Sequence, residues 1–364
     1  MKELWANHKK TILIIAGAVL LLAVAGAAIA FSLLSEEPSE GPQEVTSAWP
    51  VAERERVVPK PLEPVRWPLT GLPVEDVDDP LQLRVVSVKI ENSPAARPQS
   101  GIQAADVVYE SVTEGGITRF NALFHSQVPS TIGPIRSARL SDTYIVPQYA
   151  ALFAFSGSSS SVAARLRQAG VENLSQDAGV SAPYSRVSGR RAPHNLFLDL
   201  EELRAEAARR GMSETQELRG LAFQRSSETA GPVVAAVNIP FSPANRVRWD
   251  HDPDRNVYFR INNGSAHNDA LTSEQVQARN VVVLWAQHSR ASGRDSSGST
   301  TYDVALVGSG RASVFRDGMR FDGTWETNGS GPAKLVADDG TLIRLAPGNT
   351  WFQVVPLDVN ISME

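Results

Sequence analysis

The longest apolar run of the chain extends from Thr11 to Leu34 and contains no charged residue. Lysines precede this run and glutamates follow it. About 20 apolar residues are enough for a helix to cross a bilayer, and basic residues favour the cytoplasmic side. The pattern predicts a transmembrane signal anchor over residues 11–34 and a cytoplasmic N-terminus over residues 1–10. It places the bulk of the chain outside the cell membrane as a single-pass, extracytoplasmic protein.

A cleaved signal peptide is the alternative, because Ala28, Ile29 and Ala30 resemble a small-residue cleavage site. The apolar region of a cleavable signal usually has about 7–15 residues. The apolar run in this chain is longer, which favours an uncleaved anchor. An anchor acylated on cysteine is excluded, since the chain has no cysteine.

Residues 35–73 are rich in proline and glutamate. Such a segment buries too little apolar surface to fold alone, and proline-rich linkers are extended, at about 3.1 Å per residue. We therefore predict a linker that holds the folded part away from the membrane.

Residues 74–215 mix the two kinds of periodicity. β-branched residues alternate with polar ones from residue 83 to 92, which predicts a strand, and a serine-rich stretch followed by VAARLRQAG predicts a helix that ends at Gly170. Asn195 is predicted to cap a second helix, with acidic residues early and arginines late, as the helix dipole prefers. This region is predicted to form a mixed α/β domain.

Residues 216–364 contain short β-type segments separated by Gly, Asp, Asn and Pro. Regular short strands of this kind predict a mostly antiparallel β domain. The fold class predicted for the whole chain is α+β, after one N-terminal transmembrane helix.

Composition and motifs exclude several functions. The formal net charge of −5 argues against a dedicated nucleic-acid binder. The chain contains no P-loop, GxGxxG, HExxH or GxSxG motif, and no two histidines have the i, i+4 spacing of a helical metal site. We predict neither a cofactor nor a metal, and the sequence leaves open whether the protein is an enzyme.

The segment IGPIRSAR, residues 132–139, sets two arginines behind a Gly-Pro turn. If the residues after Pro134 are helical, Arg136 and Arg139 lie on one face. Their planar guanidinium groups could then converge on a carboxylate or phosphate, joined by Arg97 and Arg119 from neighbouring strand ends. The alternative is an internal network in which these arginines pair with acidic residues of the chain, which are Glu110, Glu114 and Asp142.

Other polar residues are candidates for acid/base or nucleophilic chemistry. His194 either fixes its loop or acts as an acid/base group, and His267 and Asp269 lie on the same side of the chain if that segment is extended. Ser137 is a candidate nucleophile. Gly115 and Gly116 favour a hairpin turn over close approach of a ligand, and Trp325 and Trp351 favour core packing over stacking on sugars.

Several motifs together resemble the YerB-like family of bacterial surface proteins, domain of unknown function 3048, which are often named as lipoproteins. These are TGLPV, ENSPAARPQSG, ADVVYE, EGGITRF, IGPIRSAR, APHN and a late GTW. The resemblance extends from about Thr70 to Pro356, and it implies no established activity. The matched positions are Asn92, Arg97, Glu114, Arg119, Gly133, Pro134, Arg136, Ser137, Arg139, His194 and Asn195.

The function predicted on these grounds is that of a membrane-anchored binding protein of the bacterial cell envelope. Its ligand would be an anionic, cell-wall-related molecule. The residues predicted to bind it are Arg97, Glu114, Arg119, Arg136, Arg139, His194 and Asn195. The alternatives are a hydrolase or transferase acting on cell-wall material, or a module that docks a protein partner through the β-rich half. The identity of the ligand and the oligomeric state stay open.

Overall fold

The computed structural model describes residues 64–75, 80–212, 217–226, 230–294 and 300–364. Within these ranges no helix is long and apolar enough to span a bilayer. The predicted anchor over residues 11–34 and most of the predicted linker lie outside the described residues.

The described part of the chain contains three α-helices and twenty β-strands. The helices are α1 Asp142–Gln148, α2 Ser160–Gln168 and α3 Leu200–Arg209. The strands are β1 Val86–Glu91, β2 Val107–Val112, β3 Thr118–Phe124, β4 Leu152–Ala154, β5 Glu172–Asn173, β6 Tyr184–Arg186, β7 Leu196–Leu198, β8 Ala236–Ser242, β9 Asn245–Asp252, β10 Val257–Asn262, β11 Ser265–Ala266, β12 Gln277–Ala278, β13 Asn280–Trp285, β14 His288–Arg294, β15 Thr300–Val304, β16 Gly308–Arg316, β17 Met319–Thr327, β18 Lys334–Val336, β19 Thr350–Val355 and β20 Ser362–Met363. The α+β class is confirmed for this part.

A ten-stranded sheet forms the centre of the fold, in the order β18-β17-β16-β13-β19-β2-β3-β1-β4-β5. Strands from both sides of the predicted boundary at residue 215 therefore belong to one continuous sheet. The pairs β13–β16 and β16–β17 are antiparallel, as predicted for this half of the chain. However, β19 is parallel to both of its neighbours, β13 and β2. The position of β19 between β13 and β2 depends on residues far away in the chain and leaves no local signal in the sequence.

The middle strands of the central sheet, β1, β2, β3, β13 and β19, are buried on both faces. Side chains of alternate positions in its strands belong to two separate hydrophobic clusters, so that Val86 and Val108 lie on one face and Val107 and Phe352 on the other. The first face packs against α3 and a six-stranded sheet, β11-β10-β9-β8-β20 with β12 paired to β10. The second face packs against α1 and α2. A charged side chain in these strands must consequently find a partner inside the protein.

The IGPIRSAR segment, residues 132–139, is an extended strap and not the helix considered above. The strap is bonded on both sides: Ile135 N donates to Leu196 O of β7 at 2.7 Å, and Arg136 N donates to Lys89 O of β1 at 2.8 Å. Because neighbouring backbone on both sides satisfies its polar groups, the strap has no need of the internal hydrogen bonds of a helix.

Gly133 allows the strap to lie directly against β7. A Cβ atom at this position would lie 2.8 Å from Cδ1 of Phe197 and 3.0 Å from the Leu196 carbonyl oxygen. The glycine of the Gly-Pro pair is therefore needed for close approach of the two chains.

One predicted helix is confirmed and the start of the other is corrected. Helix α2 begins after Ser159, whose side chain accepts a hydrogen bond from Val162 N, as the serine-rich cap predicted. Asn195 does not cap α3, because residues 196–198 are the buried strand β7. Asp199 is the cap and accepts a hydrogen bond from Glu202 N at 3.0 Å.

Candidate functional site

Charged side chains meet at the end of the central sheet where β1 and β3 pair. Glu91 is opposite Arg119 in the register of these strands, and the two residues are only 2% and 4% exposed. Further charged residues come from the strap, from the β2–β3 turn and from the loop before β7. The arginine site, as we call it, comprises Glu91, Glu114, Arg119, Arg136, Arg139 and His194.

Glu91 contacts both of the solvent-facing side chains of this site. Its Oε2 atom lies 2.8 Å from His194 Nδ1 and 3.4 Å from Arg136 Nε, and Ser93 Oγ donates to its Oε1 atom at 2.9 Å. The side chains of Arg136 and His194 are 26% and 24% exposed, whereas that of Glu91 is 2% exposed. Arg136 and His194 therefore form the solvent-facing part of the site.

Glu114 holds the second arginine of the strap. Arg139 Nη2 donates to Glu114 Oε2 at 2.9 Å, and its Nε atom lies 2.5 Å from Oε1. Arg119 is less well partnered, because its Nη2 atom lies 3.8 Å from Glu114 Oε2. Its Nη1 atom donates to the Ser137 carbonyl oxygen at 3.1 Å, and its buried Nε atom has no partner within the described residues.

The β2–β3 turn presents Glu114 to these arginines. Gly115 and Gly116 have φ angles of +66° and +74°, which confirms the hairpin turn predicted from the glycine pair. The turn is also tied to the second sheet, because Ser242 Oγ donates to the Gly116 carbonyl oxygen at 2.5 Å.

A buried ion pair between Lys89 and Asp142 contacts the backbone of the arginine site. Lys89 Nζ lies 2.7 Å from Asp142 Oδ1, and both side chains are at most 1% exposed. Asp142 also accepts hydrogen bonds from Asn121 Nδ2 at 3.0 Å and from Arg139 N at 2.7 Å. Burial lowers the pKa of Lys89, the charge of Asp142 opposes that shift, and the nearby Arg119 and Arg139 add to it.

The arginine site has more positive than negative groups. Three guanidinium groups, on Arg119, Arg136 and Arg139, share the two carboxylates of Glu91 and Glu114. Burial, and then the charge of Arg139, lower the pKa of Arg119 to about 10. Removal of the guanidinium group from water is the main cause of this shift in the pKa of Arg119, and the neighbouring cations Arg139 and Arg136 add to it.

The opposite face of the same strands carries a second buried cluster, which we call the Glu110 network. Arg260 Nη2 donates to both carboxylate oxygens of Glu110, at 2.9 and 2.7 Å, and neither side chain is exposed. The Arg260 guanidinium also lies 5.3–5.8 Å from the ring centres of Phe120, Trp249 and Trp351. Aromatic faces stabilise a desolvated cation.

Glu110 sets the orientation of the side-chain amides around it. A carboxylate only accepts hydrogen bonds, so Asn245 turns its Nδ2 atom towards Glu110 Oε1, at 3.2 Å. Its Oδ1 atom then faces Asn262, which donates from Nδ2 at 2.8 Å. Each amide in this series is fixed by the one before it.

Arg97 belongs to the Glu110 network and not, as predicted, to the group around Arg136 and Arg139. Its Nε and Nη2 atoms donate to the side chain and the carbonyl oxygen of Asn92, at 3.0 and 2.8 Å. Nη2 also donates to Asn245 Oδ1 at 3.3 Å. Burial, and then the charge of Arg260, lower the pKa of Arg97 to about 10.

His267 and Asp269 are both buried, but they do not form the pair that their spacing suggested. His267 Nδ1 accepts from Arg260 at 2.5 Å, so the ring proton is on Nε2, which donates to Gln99 Oε1 at 2.6 Å. Asp269 instead accepts from the backbone N–H groups of Gly101 and Gln103, at 2.9 and 2.8 Å.

The other predicted residues lie as follows. Ser137 contributes its carbonyl oxygen to the site, as an acceptor for Arg119. Asn195 lies beside the site, with its Oδ1 atom accepting from Arg186 at 2.8 Å. Trp325 and Trp351 are 2% and 1% exposed, as predicted for core residues.

Sequence reasoning missed Lys89, Glu91 and Arg260, and considered Glu110 only as a partner for the strap arginines. These residues lie in strands whose sequences indicate one exposed face if that face is assumed to meet solvent. The six residues of β1 are all buried. A strand buried on both faces that still carries Lys89 and Glu91 indicates an internal charge network, but burial on both faces becomes evident only from the tertiary structure.

The fold and its two buried arginine–carboxylate clusters define an α+β protein whose two sequence regions share one sheet. Family models match both regions. The N-terminal domain of the protein of unknown function DUF3048 matches residues 69–213, and the C-terminal domain of DUF3048 matches residues 237–352.

The chain belongs to the YerB-like family. It is 29% identical over 309 residues to "putative lipoprotein YerB" of Bacillus subtilis (strain 168), covering 84% of this chain and 90% of that protein. It is also similar to the crystal structure of the YerB protein from Bacillus subtilis, with a TM-score of 0.72 and 30% identity. That similarity covers 82% of this chain and 99% of the YerB chain in the crystal.

The Glu110–Arg260 pair should dominate the stability of the fold. Replacing Glu110 with Gln leaves a buried guanidinium without its counter-charge, and removing one partner of a buried pair typically costs about 3–5 kcal/mol. We expect a loss of roughly that size in the free energy of unfolding by urea. Glu201→Gln on α3, which removes the same charge from an exposed position, is the control and should change the unfolding free energy little. Equal effects of the two substitutions would contradict this account.

Buried histidines should make the protein less stable in acid. Burial, together with the charges of Arg260 and Arg97, holds the pKa of His267 well below its usual range, and burial lowers the pKa of His125 to about 4. A histidine in an unfolded chain has a pKa of about 6.5. Below that pH the unfolded chain protonates these two histidines, whereas the folded chain keeps them neutral. The free energy of unfolding should therefore be largest above pH 6.5 (about the unfolded pKa) and should fall as the pH approaches 4.

Unfolding free energies measured from pH 7.5 down to pH 4.5 check this expectation. His267→Gln retains one acceptor for Arg260 and one donor for Gln99, and it should reduce the slope. A slope equal to that of the wild type would show that His267 does not contribute.

Proposed function

We propose that the protein binds one anionic group, a carboxylate or a phosphate, at the arginine site. The observation that carries this proposal is the imbalance of charge, with Arg119, Arg136 and Arg139 set against Glu91 and Glu114 alone. A single bound anion would balance these groups.

Arg119 is the cation that most needs a further partner. It is 4% exposed, its closest carboxylate oxygen is 3.8 Å away, and its Nε atom has no acceptor among the described residues. A buried charge without a close counter-ion is destabilising. The charge of Arg136 acts on Arg119, so an anion held by Arg136 would also offset the charge of Arg119.

Solvent reaches the site through Arg136 and His194, whose side chains are about a quarter exposed. Arg136 lies 3.4 Å from Glu91, a long ion pair that leaves donors of its guanidinium group available. Arginine recognises carboxylates and phosphates through two parallel hydrogen bonds. An incoming anion would therefore meet Arg136 first.

The proposed location is the outer side of a bacterial cell membrane. Two observations support it: residues 11–34 have the composition of a membrane anchor, and the similar Bacillus subtilis protein is named a lipoprotein. Phosphate and peptide carboxylate groups both occur in the cell wall that surrounds this location, and both match the chemistry of the site.

A cell-wall hydrolase or transferase is the second candidate. The contact of 2.8 Å between His194 Nδ1 and Glu91 Oε2 favours it, because a carboxylate that orients an imidazole is the usual arrangement of an acid/base histidine. Product formation from cell-wall fragments that His194→Ala abolishes would establish this candidate.

The proposed site predicts that Arg136→Ala weakens anion binding without unfolding the protein. Each hydrogen bond to a charged group contributes about 1.5–3 kcal/mol, so the affinity for inorganic phosphate or acetate should fall at least about tenfold. Stability should change little, since the pair with Glu91 is long and partly exposed. Isothermal titration calorimetry of the purified protein measures the affinity.

Arg209→Ala is the matched control. It removes the same charge from an exposed position on α3 and should leave the affinity unchanged. His194→Ala provides a second variant at the site. Binding that survives both site substitutions, or a wild type that binds neither anion, would overturn the proposal.

A further inference from the structure

A groove lies between residues 94–98 and the turn that joins β10 to β11. It has a volume of about 460 Å³, and its residues come from both regions matched by the family models. Among the residues that line it are Pro94, Arg97, Pro98, Asn262, Ala266 and Asn268. Ligand sites are typically clefts of about 300–1,000 Å³.

Arg97 is the one charged residue among those that line the groove. His267 also lines the groove and is neutral. Its Nε and Nη2 atoms are used by Asn92 and Asn245, which fix the direction of the guanidinium group. Within the described residues, its Nη1 atom makes no hydrogen bond. A fixed cation with a remaining donor is suited to an anionic group of a ligand.

Asn262 supplies an acceptor that has no partner. The residue is 4% exposed, and its Nδ2 atom donates to Asn245 Oδ1 at 2.8 Å and to the Arg246 carbonyl oxygen at 3.2 Å. Its Oδ1 atom is buried and accepts no hydrogen bond within the described part of the chain. The amide cannot be reversed, because Glu110 fixes Asn245 and Asn245 fixes Asn262. A buried acceptor without a donor is uncommon in folded proteins.

We propose that the groove binds the C-terminal residue of a peptide. The carboxylate of that residue pairs with Arg97, and its amide N–H donates to Asn262 Oδ1. A free phosphate has no N–H for Asn262, whereas a peptide C-terminus carries both groups on one residue. Pro94, Pro98 and Ala266 provide apolar contacts for a small side chain. This site is independent of the arginine site, because it uses Arg97 and not Arg136.

Trialanine binding to the purified protein tests the proposal, with trialanine amide and an N-acetylglucosamine trimer as comparisons. We expect trialanine to bind and its amide, which lacks the carboxylate, to bind at least tenfold more weakly. Asn262→Leu should weaken trialanine binding by a similar factor. Ala266→Trp fills the groove from an exposed position on β11 and should abolish binding. Ala164→Trp on the exposed side of α2 is the control and should have no effect.

The outcomes separate this proposal from the anion site. Trialanine binding that survives Arg136→Ala and is lost with Ala266→Trp supports the groove. Binding lost with Arg136→Ala and kept with Ala266→Trp would overturn the groove and place the carboxylate at the arginine site. Binding of the sugar trimer and not of trialanine would overturn the assignment to peptides, as would no binding of either compound.

Discussion

The ion pair between Glu110 and Arg260 is the interaction on which the arrangement of the polar residues depends. It joins β2 of the central sheet to β10 of the second sheet, and both side chains are completely buried. Such a pair is expensive to desolvate and depends on well-placed polar and aromatic groups around it. Three aromatic rings and a shell of asparagine side chains surround this pair.

This constraint extends from the buried pair towards the surface. Arg260 fixes the tautomer of His267, and His267 donates to Gln99. Gln99 in turn donates to the carbonyl oxygen of Glu91 at 2.8 Å, at the end of β1. The carboxylate of Glu91 then holds Arg136 and His194. The two buried clusters lie on opposite faces of the same strands, and this series of hydrogen bonds connects them.

The two clusters have the same charge imbalance. In the Glu110 network Arg97 and Arg260 accompany the single carboxylate of Glu110, and the arginine site has three guanidinium groups for two carboxylates. Both contain an arginine whose pKa is lowered to about 10 by burial and neighbouring cations, Arg97 in one and Arg119 in the other. Perturbed groups of this kind concentrate at functional sites. We therefore interpret both as positions where a ligand completes the electrostatics of the fold.

Local features of the fold were predictable because they depend on a few adjacent residues. The cap of α2 at Ser159 and the turn at Gly115 and Gly116 are of this type. The strap was not predictable, since its extended form depends on backbone partners from β1 and β7. The site was predicted in part: Glu114, Arg119, Arg136, Arg139 and His194 do come together, with the counter-charge of Glu91 missing from the prediction. Arg97 was assigned to the wrong cluster, because sequence does not show on which face of the sheet a loop residue lies.

We propose that the arginine site accepts one anion. Anomalous diffraction from crystals of the protein soaked in selenate, recorded at the selenium absorption edge, is the decisive test, because it locates the bound ion. We expect a strong peak beside Arg136 and His194 that is absent from crystals of Arg136→Ala. Selenate found only at exposed arginines such as Arg209, with no peak at the site, would contradict it.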